Sequence, residues 1–294
     1  MTDILQRVIS SSGNFFGIAC DTTELVTEAC RRHDVGPTAA AALGRAITGA
    51  VLLAALLKDD QSVMLRFEGN GPLRKIITEA GYNGWARGYV AEPQAEVPLR
   101  NGKIDVAAGL GRVGFLTVTK DIGMEKKYGG MVQLFTGEIG EDIAYYLTDS
   151  EQIPSAIGLG VHLRPDGRIA AAGGFLVQSL PPADAEMIAA IERQINGLAS
   201  VTEMLSEGKT PADILAILFA AIPYRLTTST QLTHTCSCSR EKMERAVFSL
   251  GNAEINYLLN SDSGVEVQCE FCRDSYRFPN EDLEKMLALG AGSH

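Results

Sequence analysis

The sequence predicts an α+β N-terminal domain (residues 1–182), a helical linker (183–231) and a small C-terminal domain built on four cysteines (232–294). Three observations predict it. Glycine-punctuated β-like runs alternate with a few helical patterns as far as about Leu180. After Pro181-Pro182 the spacing of apolar residues turns helical. Beyond Leu232, four of the chain's six cysteines gather in two close pairs.

In the first domain, Leu25, Val26 and Cys30 have helical spacing over 22–32, and Gly36-Pro37-Thr38 opens a helix of small residues. That segment, TAAAALGRAITGAVLLAALL (38–57), is apolar enough to suggest a membrane span. Arg45 interrupts it, and the remainder, 46–57, is shorter than the roughly twenty residues a bilayer requires. A buried helix and no membrane partner are expected. Strands follow at 62–68, 74–78, 86–90, 114–119 and 130–135, then a helix at 140–147. Pro165-Asp166-Gly167 reads as the hairpin turn between strands 158–163 and 169–178.

The linker opens with a helix over 183–198, whose face carries Met187, Ile188, Ile191 and Ile195. Thr210 before Pro211 and Asp213 is an N-cap with proline at the first helical position, and Pro223 ends that second helix. So short a linker cannot build its own core. Its apolar residues Ile188, Ile191, Ile195, Leu215 and Leu218 are expected to lie against the first domain. In the last domain, Met243, Ala246, Val247 and Leu250 mark a helix within 240–259. A strand at 265–268 can pair with Tyr276-Arg277-Phe278, and 280–289 closes as a helix with acids in its first turn.

The 294 residues are 46% apolar, enough for a sizeable core, and carry a formal charge of −10. That charge argues against nucleic acid, because a partner held by its phosphates selects a basic protein. Residues 232–294 are themselves acidic, with six basic and ten acidic side chains. The N-terminus lacks a basic head followed by an apolar run, so no secretory signal and a cytoplasmic location are expected. In a reducing compartment, clustered cysteines indicate metal or redox chemistry more often than structural disulfides.

The pairs Cys236-Ser237-Cys238 and Cys269-Glu270-Phe271-Cys272 are separated by 30 residues. Two such pairs are the usual way to supply four thiolates to one tetrahedral zinc. His234 is read as a flanking, solvent-facing histidine, and His33, His162 and His294 are scattered. A domain of this size has a marginal core, whereas structural zinc supplies about 10–16 kcal/mol of apparent binding free energy. Zinc therefore decides whether the domain folds. Thiolates are also the oxidisable form of cysteine, so an oxidant that consumed them would expel the metal. Residue chemistry alone leaves three functions open: a redox switch, a permanent zinc module that binds a partner, and a thiol–disulfide oxidoreductase using Cys269 and Cys272.

Gly109-Leu110-Gly111-Arg112-Val113-Gly114 matches the dinucleotide fingerprint, but FLTVTK follows it with strand-like alternation where a helix is required. It is read as a turn entering a strand. No nucleophile elbow or His-Glu-x-x-His motif is present, and no catalytic residue is expected.

The cysteine motifs and their separation resemble those of the redox-regulated 33-kDa heat-shock chaperones of bacteria. The likeness extends upstream through Arg31-Arg32-His33, the segment from Pro37-Thr38-Ala39 to Leu43-Gly44-Arg45, and Phe67-Glu68-Gly69-Asn70-Gly71-Pro72. Tyr145-Tyr146, Ser150-Glu151-Gln152, Pro154-Ser155 and Gly173-Gly174-Phe175 continue it. The resemblance implies an ATP-independent holdase for unfolding client proteins, inactive and monomeric while reduced Cys236, Cys238, Cys269 and Cys272 hold one zinc ion. Peroxide with heat, or hypochlorite, would then form the disulfides Cys236–Cys238 and Cys269–Cys272, release zinc, unfold the C-terminal region and linker, and favour a homodimer. Cys20 and Cys30 lie outside the family's pattern and are read as incidental, buried thiols.

Overall fold

The computed structural model describes residues 2–124, 127–182, 185–260 and 264–291. The expected helix start at Ala183, the C-terminal His294 and the residues beside them lie outside that set. The chain forms two compact units, Met1–Thr235 and Cys236–His294.

The first unit opens with the hairpin β1 (Ile4–Ser10) and β2 (Phe15–Asp21), then α1 (Thr23–His33) and α2 (Pro37–Ala54). Next come β3 (Ser62–Gly69), β4 (Lys75–Gly81), β5 (Trp85–Val90), α3 (Val106–Leu110), β6 (Gly114–Asp121) and β7 (Tyr128–Gln133). The unit continues with α4 (Gly140–Asp149), β8 (Ser155–Leu163), β9 (Ile169–Ser179), α5 (Ala185–Gly197), α6 (Val201–Ser206) and α7 (Pro211–Leu218). Strands β10 (Tyr224–Gln231) and β11 (Thr233–His234) end it.

One sheet has the order β10-β1-β2-β9-β8 and the other β11-β5-β4-β3-β6-β7. Helix α2 packs between them, against β8 and β9 of one and β3, β4 and β5 of the other. This position explains its composition. Ala39, Ala41, Ala42, Ala46 and Ala50 let both sheets approach, and a side chain at Gly49 would meet Ile143 at 2.4 Å. Thr48 satisfies its buried hydroxyl locally, bonding to the Gly44 carbonyl and the Thr22 hydroxyl, both at 2.8 Å. The helix long and apolar enough to cross a membrane is thus the core of this unit, with 89% of its apolar window buried.

On the opposite face of the first sheet, α6 and α7 pack on β1, β2, β8 and β9, and α5 packs on α7. Ile191, Leu215 and Leu218 are buried there with Phe15, Phe175 and Val177, while Ile188 and Ile195 pack at the margin. The Thr210 cap is present: its hydroxyl accepts the Asp213 N–H at 3.3 Å, and the Asp213 carboxylate accepts the Thr210 N–H at 2.8 Å.

Three features differ from the sequence reading. The 183–231 stretch is not wholly helical: β10 occupies its end, paired antiparallel with β1 from Ile4↔Gln231 to Ser10↔Tyr224. An exposed edge strand of sequence YRLTTSTQ has no apolar alternation to announce it. Strands β1 and β2 and the short helices α3 and α6 were not anticipated either. Finally, the single helix expected within 240–259 is two, α8 (Arg240–Phe248) and α9 (Asn252–Leu259), broken at Gly251 with φ +86°.

The second unit continues with β12 (Val265–Gln268), β13 (Ser275–Phe278) and α10 (Asn280–Ala291). Its core is small: Val247, Ile255, Phe278, Leu283 and Met286 are its buried apolar cluster among the described residues.

Between β10 and β11 the chain crosses from one sheet to the other. Leu232 is buried at the crossing, and its N–H donates to the Asp3 carbonyl at 3.0 Å. Thr233 N–H donates to the Gly84 carbonyl at 3.0 Å, where a side chain at Gly84 would strike the Gln231 carbonyl. Asp3 also caps α1, its carboxylate accepting the N–H groups of Glu24 at 3.0 Å and Leu25 at 2.7 Å. Burial pushes the Asp3 carboxyl up to about 6 from an ordinary 3.8, against those two bonds. The folded state therefore binds this proton more tightly than the unfolded chain, and the group's contribution to stability falls as pH rises through that window. Asp3→Asn should gain stability relative to the parent as pH rises from 4 to 7, by up to about 3 kcal/mol in urea unfolding. A difference independent of pH would refute the assignment.

Candidate metal centre

The two cysteine pairs reach one place from different local structures. Cys236 and Cys238 immediately precede α8, whose N-cap Ser239 accepts the Lys242 N–H at 3.3 Å. The Lys242 ammonium turns back to donate to the carbonyl and hydroxyl of Ser237, at 2.5 and 3.1 Å, placing a positive charge beside the pair. Cys269 and Cys272 lie in the turn joining β12 to β13. That turn is closed by Arg273 N–H to the Cys269 carbonyl at 2.8 Å and Cys269 N–H to the Asp274 carbonyl at 2.9 Å. Arg273 adopts a left-handed φ of +63° to make it.

All four sulfurs lie within 4.8 Å of one another. Cys236 Sγ is 3.8 Å from Cys269 Sγ, and Cys238 Sγ is 3.3 Å from Cys272 Sγ. A tetrahedral ion with metal–sulfur bonds of about 2.3 Å needs sulfur–sulfur edges of about 3.8 Å. The cluster could hold a metal ion with little movement. Four soft sulfur donors suit zinc better than the hard cations that prefer oxygen.

Burial favours the protonated thiols at Cys269 and Cys272, so a metal ion bound there would displace their protons. Desolvation holds the Cys269 and Cys272 thiols above their ordinary range. The N–H groups of Phe271 and Cys272 oppose it at Cys269, as does that of Asp274 at Cys272. Tyr276, whose hydroxyl lies 3.2 Å from Cys238 Sγ, was missed as a site residue because its place in a strand gave no sign of that contact. Arg240 ties the segment after Cys238 to the rest of the unit. Its guanidinium lies 4.5 Å from the Phe278 ring centre and donates to the Arg277 carbonyl at 2.9 Å and to Asp282 at 2.7 Å.

His234 is not solvent-facing as expected. It sits in β11 beside Ala86, half-buried, with Nε2 lacking a hydrogen-bond partner, and desolvation holds its pKa below the ordinary value. The four-residue cluster contains no histidine among the described residues. Cys20 is fully buried, which pushes its thiol well up, and burial pushes the Cys30 thiol up to about 12. Both are protonated and unreactive at neutral pH. Gly109–Gly114 runs from the end of α3 into β6, so the fingerprint-like glycines serve a turn. Cys269 and Cys272 likewise occupy a β-turn rather than a strand-to-helix junction of thioredoxin type.

Comparison with known proteins decides the family. The family model described as "Hsp33 protein" matches residues 3–279. The chain belongs to the Hsp33 family. The 33 kDa chaperonin of Desulfotalea psychrophila is 60% identical over 98% of both chains. That of Geobacter sulfurreducens is 51% identical over 97% of this chain and 95% of its own. A crystal structure of the 33 kDa chaperonin of Thermotoga maritima matches with a TM-score of 0.92 at 33% identity, covering 99% of each chain. Hsp33 proteins are chaperones rather than enzymes, so the chain is assigned a chaperone function.

The cluster makes a direct prediction. Titration of the reduced, metal-free chain with Co2+ should give the intense absorption of tetrahedral thiolate coordination at a single site. Replacing Cys236, Cys238, Cys269 or Cys272 with serine should weaken it, and Cys20→Ser or Cys30→Ser should leave it unchanged. An unchanged spectrum in Cys238→Ser would remove that residue from the ligand set.

Proposed function

We propose that this chaperone is a redox-regulated holdase whose inactive form is the reduced monomer with one zinc ion on Cys236, Cys238, Cys269 and Cys272. The observation that carries the reading is the convergence of four sulfurs within 4.8 Å in a unit whose apolar cluster has five buried side chains among the described residues. Zinc would supply the cross-link between two ends of the unit that its apolar contacts are too few to hold. Closing a loop of this length in the unfolded chain costs about 4 kcal/mol of entropy.

Which thiols pair on oxidation then decides the outcome. Disulfides Cys236–Cys238 and Cys269–Cys272 close only tiny loops, so the long-range cross-link disappears together with the ligands. Disulfides between the motifs would preserve it. The spatial arrangement allows both, and the family resemblance favours pairing within each motif. In each pair two thiols give up two electrons and two protons, and hydrogen peroxide takes them to become water. Only Thr235 separates β11 from Cys236, so unfolding of the second unit pulls directly on β11 and the exposed strand β10.

The client surface in this account is the apolar interior shared by α5–α7 and the first sheet. Eight of its buried residues lie between Ile191 and Ile222. Each contributes about 2 kcal/mol while covered. Loss of the cross-link alone does not lift these helices, so peroxide is expected to need heat as well. Exposure of that surface would bind unfolding clients non-directionally and promote a homodimer. The reading places the protein in the cytoplasm, with neither nucleic acid nor membrane as partner.

The test is peroxide at elevated temperature on the zinc-loaded chain, with zinc release, disulfide mapping and suppression of client aggregation followed together. The expected result is zinc release with disulfides inside each motif and a concurrent gain in suppression. Zinc retained, disulfides joining the two motifs, or release without gain would each contradict the proposal.

A further inference from the structure

Strand β8 is the edge of its sheet, hydrogen-bonded to β9 on one side only. A groove of about 650 Å³ runs along its free side, lined by the six consecutive residues 158–163. A run of six neighbours, which alternate between the two faces of a sheet, means that the groove follows the backbone edge itself. Among the described residues, no backbone hydrogen bond reaches residues 156–163 except those to β9. At Gly158 and Gly160 the Phe175 ring and Thr202 take the space a side chain would need, 2.3 and 2.6 Å from where a Cβ would stand, and so form part of the groove wall.

The lining carries the basic side chains Arg45 and Lys103, with the imidazole of His162, and no aspartate or glutamate, in a chain whose net charge is −10. Arg45 Nη1 is engaged by Glu138 at 2.6 Å, while its buried Nε has no acceptor. Lys103 and His162 are exposed and form no ion pair among the described residues. Between these polar side chains the walls are apolar, with Phe175, Leu198 and Val201 among them.

We propose that the 158–163 edge of β8 docks an extended segment of an unfolding protein in which apolar and acidic residues alternate, added as a further strand. Main-chain hydrogen bonds to β8 would hold the segment, the apolar side chains would meet the groove walls, and the carboxylates would face Arg45, Lys103 and His162. The site belongs wholly to the first unit and involves no cysteine. It is a weak first contact present before any oxidation, separate from the apolar interior exposed by the redox reading.

The experiment uses the reduced, metal-loaded full chain and a short labelled peptide alternating valine and glutamate, followed by fluorescence anisotropy. The peptide should bind, with affinity falling as salt rises, and its valine–lysine counterpart should bind at least about tenfold more weakly. The exposed double variant Lys103→Glu/His162→Glu should lose about tenfold in affinity with its thermal midpoint unchanged. N-methylation of alternate peptide bonds, which removes strand pairing and keeps the side chains, should abolish binding. Equal binding of the lysine peptide, of polyglutamate or of a single-stranded oligonucleotide would overturn the proposal, as would indifference to N-methylation. No oxidant is used, so failure here leaves the redox reading standing, and the reverse also holds.

Discussion

In the proposed switch the second unit depends on one constraint, the joining of Cys236 and Cys238 to Cys269 and Cys272 through a shared metal ion. Spanning 59 residues from Cys236 to His294, it carries, apart from its cysteines, five buried apolar side chains among those described. Domains of that size are marginal without a staple. The Arg240 bridge to Asp282 is too exposed to substitute, because ion pairs in solvent contribute little. A unit held by one cross-link has no graded response to its loss. Such a unit is well suited to switching and poorly suited to permanent structure.

In the first unit the same economy is absent. Helix α2 is covered by two sheets, and a second apolar layer lies beneath α5–α7. The two kinds of stability meet, in sequence, in residues 224–235. This strap adds one edge strand to each sheet, buries Leu232 between them and bonds to Asp3, yet β10 is exposed along almost its whole length. Edge strands of this kind have few apolar contacts to oppose detachment. The order of events in the proposed switch follows from that gradient. The cross-linked unit goes first, the strap next, and the helices with their buried face last.

Much of this was legible in the sequence where local pattern and tertiary role agree. The small-residue helix, the Thr210 cap, the strands from β3 to β9 and the four-cysteine cluster all announce themselves through periodicity, turn chemistry or spacing. Strand β10 did not, because an exposed edge strand owes its conformation to β1 rather than to its own side chains. The hairpin of β1 and β2 had a usable signal in Ser11-Ser12-Gly13-Asn14 between two apolar runs. The break at Gly251 had another, a lone glycine in a helical pattern. The contact of Tyr276 with Cys238 and the half-burial of His234 had none, since each depends on which chain segments meet.

The most direct test removes metal without oxidant. The reduced chain is treated with a chelator that takes zinc, and amide hydrogen exchange is compared with that of the loaded protein. The account predicts that α8, α9 and α10 lose protection together while α2 keeps its own. Unchanged protection throughout the second unit would show that its fold does not need the cross-link, and the switch would lose its basis.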